Sequence, residues 1–339
     1  MLKSLYIQNF RCLKEFQIKS LKQVNLITGK NNTGKSTLLE ALAIYGSDRK
    51  LNHIIDMLKR RGEFYAKEDD IAPFENNIKS LSSLFSYRNI GYDDADGILI
   101  GESATNAIRL RFVKDETSFA QIDFNIHKGE NNNETIPLDS SLYKRGYRVL
   151  KNHEPVLYVQ TGNISSSFNG KLFDNIALSD REKYVIDALK IVEPQTERIA
   201  FVEDINGGRN AVIKLSSSND IQPLQSMGDG INRILTIILA LVNSDGYLLI
   251  DEFENGLHYS VQEKLWKIIL SLAEKLNVQV FATTHSNDSI YSFEKALNTP
   301  DNTVEGKLIR LDNKDGKINE VEFLPDELKI AERENIEIR

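Results

Sequence analysis

Eight consecutive residues, Gly29-Lys30-Asn31-Asn32-Thr33-Gly34-Lys35-Ser36, have the spacing G-x-x-x-x-G-K-[ST] of a Walker A loop. Glycines at both ends let the backbone fold so that N–H groups converge on phosphate oxygens, and a helix starting at the loop points its positive end at them. In that arrangement Asn31, Asn32, Thr33, Gly34 and Thr37 would bind a nucleotide. Lys35 would neutralise its β- and γ-phosphates, and the Ser36 hydroxyl would bind Mg²⁺.

Far downstream, Tyr247-Leu-Leu-Ile-Asp251-Glu252 is an apolar run ending in two acids. Asp251 would hold the Mg²⁺ shell, and Glu252 would polarise the water that attacks the γ-phosphate. A buried strand with an acidic end is common in itself. The Walker A loop is what makes this one informative. Just upstream lies Gln225-Ser226-Met227-Gly228-Asp229-Gly230-Ile231-Asn232-Arg233, a second Gly-rich helix start and hence a second anion site. One nucleotide does not need two such sites from one subunit, so the economical reading has this loop cap a nucleotide held by a second copy. His285, within Thr283-Thr284-His285-Ser286, could bond the γ-phosphate and sense its loss, although a strand-end histidine taken singly is more often structural.

These residues need elements to hold them. Leu2–Lys19 alternates like an antiparallel hairpin. Val24–Thr28 is a short apolar strand, and Ser36–Tyr45 follows with helical spacing, which gives strand, loop and helix. The middle of the chain is less regular. A helix over Leu51–Arg61, turns at Tyr92–Gly97 and Gly129–Asn133, and strands over Ile108–Val113, Phe119–His127 and Val156–Gln160 are expected. Ser179–Glu182 resembles a capping box with a helix through Ile186–Val192. Arg198–Glu203 and Ala211–Leu215 could pair around Asn206-Gly207-Gly208. The last third alternates cleanly: helix Ile231–Val242, strand Tyr247–Ile250, helix Ser260–Leu276, strand Val278–Thr283, helix Asn287–Leu297, and a hairpin over Lys307–Phe323 around Lys314-Asp315-Gly316. Strands alternating with helices imply a parallel α/β sheet.

Composition narrows the classes. Of 339 residues, 41% are apolar and 27% charged, as in an ordinary globular protein. The 42 basic and 49 acidic residues give −7, which argues against a dedicated non-specific nucleic-acid binder. A single cysteine, Cys12, excludes an internal disulfide framework, and the longest apolar stretch, Ile234–Val242, is far short of the roughly 20 residues that span a bilayer. With an N-terminus unlike a signal peptide, a cytoplasmic protein without membrane contact is expected. Leu58–Arg61 and Lys144–Arg148 are the clearest basic clusters, and Asp93-Asp94-Ala95-Asp96 reads as a solvated turn.

The order of Walker A, long insertion, S-x-G-x-G, acidic strand and histidine resembles the ABC-type ATPase heads of RecF, SMC and OLD-family proteins. More narrowly, Ile7-Gln-Asn-Phe-Arg11-Cys-Leu13, Ser226–Arg233 and Asp251-Glu-Phe-Glu-Asn-Gly-Leu-His-Tyr259 look like OLD-like ATPases of bacterial anti-phage systems. The resemblance runs from about residue 1 to 323 and is weakest between 49 and 155. It implies an α/β fold, an ABC-type P-loop ATPase head with an N-terminal β-subdomain and an inserted α/β-helical lobe. The single domain would comprise residues 1–48 (hairpin and Walker A lobe), 49–220 (inserted lobe), 221–323 (signature, Walker B and histidine core) and a tail, 324–339. It also implies that Arg11 lies near the nucleotide, that Ser226 and Gly228 make the signature contact in trans, and that Glu254–His258 is a D-loop. By the same likeness His285 is the switch histidine and Gln160 the candidate Mg²⁺-coordinating glutamine. Met227 and His258 depart from the glycine and aspartate of many heads.

OLD-family nucleases carry a Toprim domain after the ATPase, and the stretch after His285 is too short for one, so no nuclease is visible. The expected protein is therefore a Mg²⁺- and ATP-dependent homodimer or higher oligomer, acting as sensor or scaffold for a separately encoded nuclease or toxin, with DNA contact open. A RecF-like repair ATPase stimulated by DNA is the main alternative. An importer subunit fits the altered signature less well, and a purely structural protein has no use for Lys35, Asp251 and Glu252 together.

Overall fold

Val24–Thr28 (β3) is buried at all five positions, as a strand must be when elements cover both faces of its sheet. It lies inside a six-stranded sheet of order β15-β14-β3-β13-β12-β8. Here β8 is Glu154–Val159, β12 Ser244–Ile250, β13 Gln279–Thr283, β14 Gly306–Lys314 and β15 Lys317–Phe323. The five strands from β14 to β8 are mutually parallel, and β15 closes the edge as an antiparallel hairpin with β14. Asp315 (φ 53°) and Gly316 (φ 77°) are both left-handed, the twist a two-residue hairpin turn requires. This computed structural model describes residues 1–47, 50–67, 71–114, 122–127, 133–139, 142, 154–161, 166–203, 208–218, 220–323 and 327.

Side chains on these strands alternate between two cores, the period-two pattern of a sheet covered on both faces. Leu26, Leu248, Ile250, Val280, Ala282 and Leu308 face one core. It is completed by the helices over Asp229–Asn243 (α6), Tyr259–Leu276 (α7) and Asn287–Leu297 (α8). Its aromatic centre is Trp266, stacked on Phe253 at 4.0 Å and 4.8 Å from Phe293. Ile27, Leu249, Phe281, Ile309 and Leu311 face the other core, with Lys35–Gly46 (α1) and Lys50–Arg60 (α2).

That second core is roofed by an antiparallel sheet of order β2-β1-β4-β5-β6-β7. Leu5–Phe10 (β1) and Leu13–Ile18 (β2) form the expected N-terminal hairpin. Four strands from the middle of the chain extend it: Ile98–Gly101 (β4), Ala107–Lys114 (β5), Ile122–His127 (β6) and Asn133–Pro137 (β7). The joining pair is β1 with β4, Ile7 opposite Ile100. A smaller sheet, β11-β10-β9, is built from Thr196–Glu203 (β9), Arg209–Leu215 (β10) and Ile221–Pro223 (β11). β9 and β10 pair in register as expected; residues 204–207, most of the proposed turn, lie outside the described residues, as do Gly129–Asn132 of another.

Several local expectations shift. β4, Pro73–Ser82 (α3) and Ser166–Asp174 (α4) have no counterpart in the periodicity reading. α3 buries only Asn77, Ser80 and Leu81, too few apolar positions to mark a face. Ser179 and Glu182 do not form a capping box. The Ser179 hydroxyl donates to Ile176 O, the Glu182 carboxylate accepts from Leu178 N, and the helix begins only at Glu182, ending at Leu189 (α5). Around Asp94–Asp96 the turn is a short 3-10 segment, in which Asp93 and Asp96 cap one another. Among the described residues, no helix is long and apolar enough to cross a membrane.

Candidate nucleotide site

The Gly29–Gly34 loop leads from β3 into α1, and its shape excludes larger residues at its first position. A Cβ on Gly29 would lie 2.4 Å from Leu311 O and 2.9 Å from Thr33 Oγ1, at φ +142°. Helix α1 opens from Gly34 in the left-handed conformation with no side-chain cap and no acid in its first turn. Its first N–H groups are thus available to an anion. Lys35 is only 5% exposed, and its Nζ donates to Gly29 O at 2.6 Å and Lys30 O at 2.9 Å. Burial lowers its pKa to about 8 despite the opposing attraction of Asp251, Glu252 and Glu254.

Asp251, at the end of β12, is buried and accepts three hydroxyls. Thr283 Oγ1 donates to Oδ1 at 2.6 Å, Ser36 Oγ to the same oxygen at 3.2 Å, and Tyr158 OH to Oδ2 at 3.4 Å. Burial, followed by the charge of Asp251, raises the Tyr158 pKa well above its usual value, so the phenol stays a donor. A hydroxyl and a carboxylate oxygen at this separation, beside an uncapped helix start, form the hard oxygen donor set that suits Mg²⁺ on a nucleotide phosphate. Ser36 and Asp251 are the residues that would hold the ion, whose charge would offset that of the phosphates.

Glu252 follows with φ +46°, an unusual backbone for a side chain this size, and it is clamped on both sides. Its N–H donates to Thr283 Oγ1 at 2.9 Å. Its carbonyl and that of Asp251 accept from Arg233 Nη2, at 3.1 and 2.6 Å, while Arg233 Nη1 donates to Gln160 O at 2.5 Å. The Glu252 carboxylate itself is 44% exposed, with His285 Nε2 3.8 Å away. Glu254 has both oxygens engaged, by the Thr284 hydroxyl at 2.8 Å and the His285 N–H at 2.7 Å.

The predicted site residues thus divide. Ser36, Asp251, Glu252 and His285 are linked at one end of the parallel sheet through Thr283 and Glu254, and Lys35 precedes Ser36 with its amine on the carbonyls of its own loop. Ser226 and Gly228 are exposed elsewhere, the Ser226 hydroxyl donating to Pro223 O at 2.7 Å. Among the described residues no hydrogen bond joins them to the Gly29–Thr37 loop. Gln160 does follow β8, but with its amide oxygen toward Arg60 it accepts from Nε at 2.7 Å, so its side chain is directed at α2 and not at Asp251. Arg11 sits beside the loop, since the neighbouring Cys12 Sγ would be 3.1 Å from a Cβ on Gly34. Its guanidinium, however, pairs with Glu63 at 2.9 Å and Glu40 at 3.4 Å. Of the basic clusters, Arg61 binds Glu40 at 2.7 Å, and Lys144–Arg148 lies outside the described residues. His258 caps α7, its Nδ1 accepting from Ser260 N, the task an aspartate performs at such a position. Among the described residues no group of three or more His, Cys, Asp or Glu could hold a metal ion.

The sequence motifs assign no individual role to Arg233, Thr283 or Tyr158, and Glu254 enters only as the start of a D-loop. The signal for Arg233 was present: it is the one cation within an otherwise apolar helix, and a charge there must be paired.

Known proteins resemble this chain in sequence and in fold. A protein described as an ATP/GTP phosphatase from Helicobacter pylori is 26% identical over 357 residues, covering 93% of each chain. A DNA replication and repair protein RecF from Protochlamydia amoebophila is 38% identical over 69 residues, which is 20% of this chain and 19% of that one. Among solved structures, an Smc head domain with an extended coiled coil bound to the C-terminal domain of ScpA, derived from Pyrococcus furiosus, superposes with a TM-score of 0.51. It is 10% identical and covers 98% of this chain and 99% of that one, a likeness of fold. The fold is accordingly a mixed α/β, ABC-type P-loop ATPase head. Residues 24–290 match the family model "AAA domain, putative AbiEii toxin, Type IV TA system", and the chain belongs to that family of ATPases.

Proposed function

We propose that this Mg²⁺-dependent ATPase closes as a head-to-tail dimer around two nucleotides, each held by one copy's Lys35 loop and capped by the other's Ser226 loop. The observation that carries this reading is the division of the site. Ser36, Asp251 and Glu252 are linked within one chain, next to Lys35, whereas Ser226 and Gly228 stand exposed with only local hydrogen bonds among the described residues. Within the cleft, Lys35 would leave its loop carbonyls for phosphate oxygens, the α1 amides would bind the same anion, and Asp251 would stay fixed by Thr283 and Tyr158. The Glu252 carboxylate, clamped at its backbone and free at its tip, would accept a proton from the attacking water, with His285 beside it. Release of phosphate would then reopen the dimer.

On this reading the dimer is an ATP-dependent clamp serving as sensor or scaffold in an anti-phage system, controlling a separately encoded nuclease or toxin. The OLD-like motif set supports it, as does the toxin–antitoxin wording of the family description. A RecF-like repair ATPase is the second reading, favoured by the short RecF match. The deciding experiment is native mass spectrometry of Glu252→Gln protein, purified with Mg²⁺-ATP from cells carrying its neighbouring genes. A dimer holding a nuclease- or toxin-like polypeptide supports the clamp. A bare dimer with salt-sensitive DNA binding and DNA-stimulated turnover moves the assignment to repair.

A further inference from the structure

Two short segments face one another beyond the ends of β12 and β13, Asp251–Glu254 and Thr283–Ser286, and they are laced together reciprocally. From the β13 side, Thr283 Oγ1 receives the Glu252 N–H and donates to Asp251 Oδ1. From the β12 side, Glu254 receives the Thr284 hydroxyl on Oε2 and the His285 N–H on Oε1. A carboxylate that binds donors from two consecutive residues fixes the peptide between them, and charge-assisted bonds are the strong ones. Thr284 Oγ1 also accepts from Ser286 N at 3.0 Å, which extends the brace to the start of α8. His285 lies past the last ladder residue of β13, so the sheet no longer holds it. Besides the Thr284 N–H bond to Ile27 O, it is the Glu254 side chain that braces the segment carrying its ring, 3.8 Å from the Glu252 carboxylate.

Glu254 also belongs to a turn that touches the exposed signature loop. Asn255 N donates to Glu252 O and Leu257 N to Glu254 O, which closes the turn around Gly256. A Cβ on Gly230, at the start of α6, would lie 2.9 Å from Gly256 O, so the two backbones are in close contact. Any shift of the Ser226–Gly230 loop is therefore felt by the turn that carries Glu254.

We propose that Glu254 is a positioning residue, which holds His285 against Glu252 and ties that pair to the signature loop, so that docking of a second copy tunes turnover more than nucleotide binding. The proposal rests on Glu252 and His285 forming the hydrolytic pair. Glu254 is less suited than the 44% exposed Glu252 to activate water, because each of its oxygens already accepts a donor that orients it toward residues 284 and 285.

The test is a double-mutant cycle on the full-length protein, comparing wild type, Glu254→Gln, His285→Ala and the pair, with ATP turnover and ATP-analogue affinity measured for each. Glu254→Gln keeps the size but sets an amide donor against a donor. It is expected to lower kcat by about tenfold or more with KM and Kd within about twofold, and to add nothing to His285→Ala, because residues that act as a unit are non-additive. Thr284→Val and Thr284→Ser probe the same brace without touching the carboxylate: valine should lower kcat and serine should restore it. Multiplicative losses in the double variant, or a change confined to KM, would overturn the positioning role. A slow His285→Ala beside an unaffected Glu254→Gln sinks this proposal alone, whereas an unaffected His285→Ala sinks the hydrolytic pair as well.

Discussion

The two halves of the nucleotide site are built differently. In the Lys35–Asp251 cleft the acidic residues are tied to other elements: the Asp251 carboxylate to α1, β8 and β13, and the Glu252 backbone to α6 and β13. Among the described residues the signature loop has only local hydrogen bonds, from Ser226 to Pro223 O, from Gly228 N to Gln225 O and from Asn232 to Gly228 O. Apart from the chain neighbours of Gly228, no described residue lies within 4 Å of where its Cβ would be. Preorganised dipoles stabilise charge without reorganisation, so the first half is ready for phosphates as it stands. On the proposed reading the second half is a cap for another copy's nucleotide, so that one chain holds nucleotide and a second is needed to use it.

The sharpest way to break the first half is Lys35→Ala. It removes the buried cation while Asp251 and Glu252 remain, and should abolish detectable ATP-analogue binding by calorimetry and leave the protein monomeric with nucleotide. Glu252→Gln should do the opposite. It should bind Mg²⁺-ATP normally, hydrolyse it at least about a hundredfold more slowly, and accumulate as the closed dimer in size-exclusion chromatography, since general-base contributions are typically of that order. Turnover at the wild-type rate would reassign the base.

The second half is tested by mixing. Ser226→Glu sets a negative charge where phosphate would lie, so it should bind nucleotide as a monomer yet fail to turn it over. Combined in equal amounts with Lys35→Ala protein, it should recover up to about half of wild-type activity, because only mixed dimers can form and each has one intact site of two. A mixture as inactive as its parts would show that the two loops do not meet across copies.

The same contrast explains what could be read from the chain. The phosphate loop, the Asn287–Leu297 helix and the Asp315-Gly316 hairpin were legible because their signals are local: spacing, 3.6-residue periodicity and a turn that needs positive φ. The pairing of Ile7 with Ile100 was not, since it joins segments distant in sequence, and the four-residue β4 has no length over which a period can show. Within the site, residue types announced Lys35, Ser36 and Asp251. Arg233 acts on the carbonyls of residues 160, 251 and 252, and backbone acceptors leave no mark in a sequence. Gln160 shows the converse, a residue of suitable type whose side chain the fold turns to Arg60.

Arg233 is where the two halves meet, and its removal should be felt as stability. Arg233→Leu would strand carbonyls that the buried guanidinium now satisfies, while relieving the cost of burying the charge. A net loss of about 2–3 kcal/mol is expected in urea unfolding, with Arg233→Lys recovering part of it. A loss near zero would mean that the β8 and β12 ends hold without it.

The smallest effect is a proton. The Lys35 pKa of about 8 in the free chain, against 10.5 for an unhindered lysine, follows from burial among carbonyls. Phosphate oxygens would favour the charged amine and raise the value again, so nucleotide binding must take up a proton wherever the free amine is neutral. The sign is fixed: affinity is flat below about pH 8 and falls as pH rises through it, by about tenfold at pH 9, where uptake approaches one proton. Calorimetry with a non-hydrolysable ATP analogue, in two buffers of different ionisation enthalpy, reads this directly. Heats should coincide at pH 7 and diverge at pH 9. Coincidence at both would mean that Lys35 is already charged in its cradle and that its carbonyl contacts outweigh burial, making the first half of the site still more fully formed before nucleotide arrives.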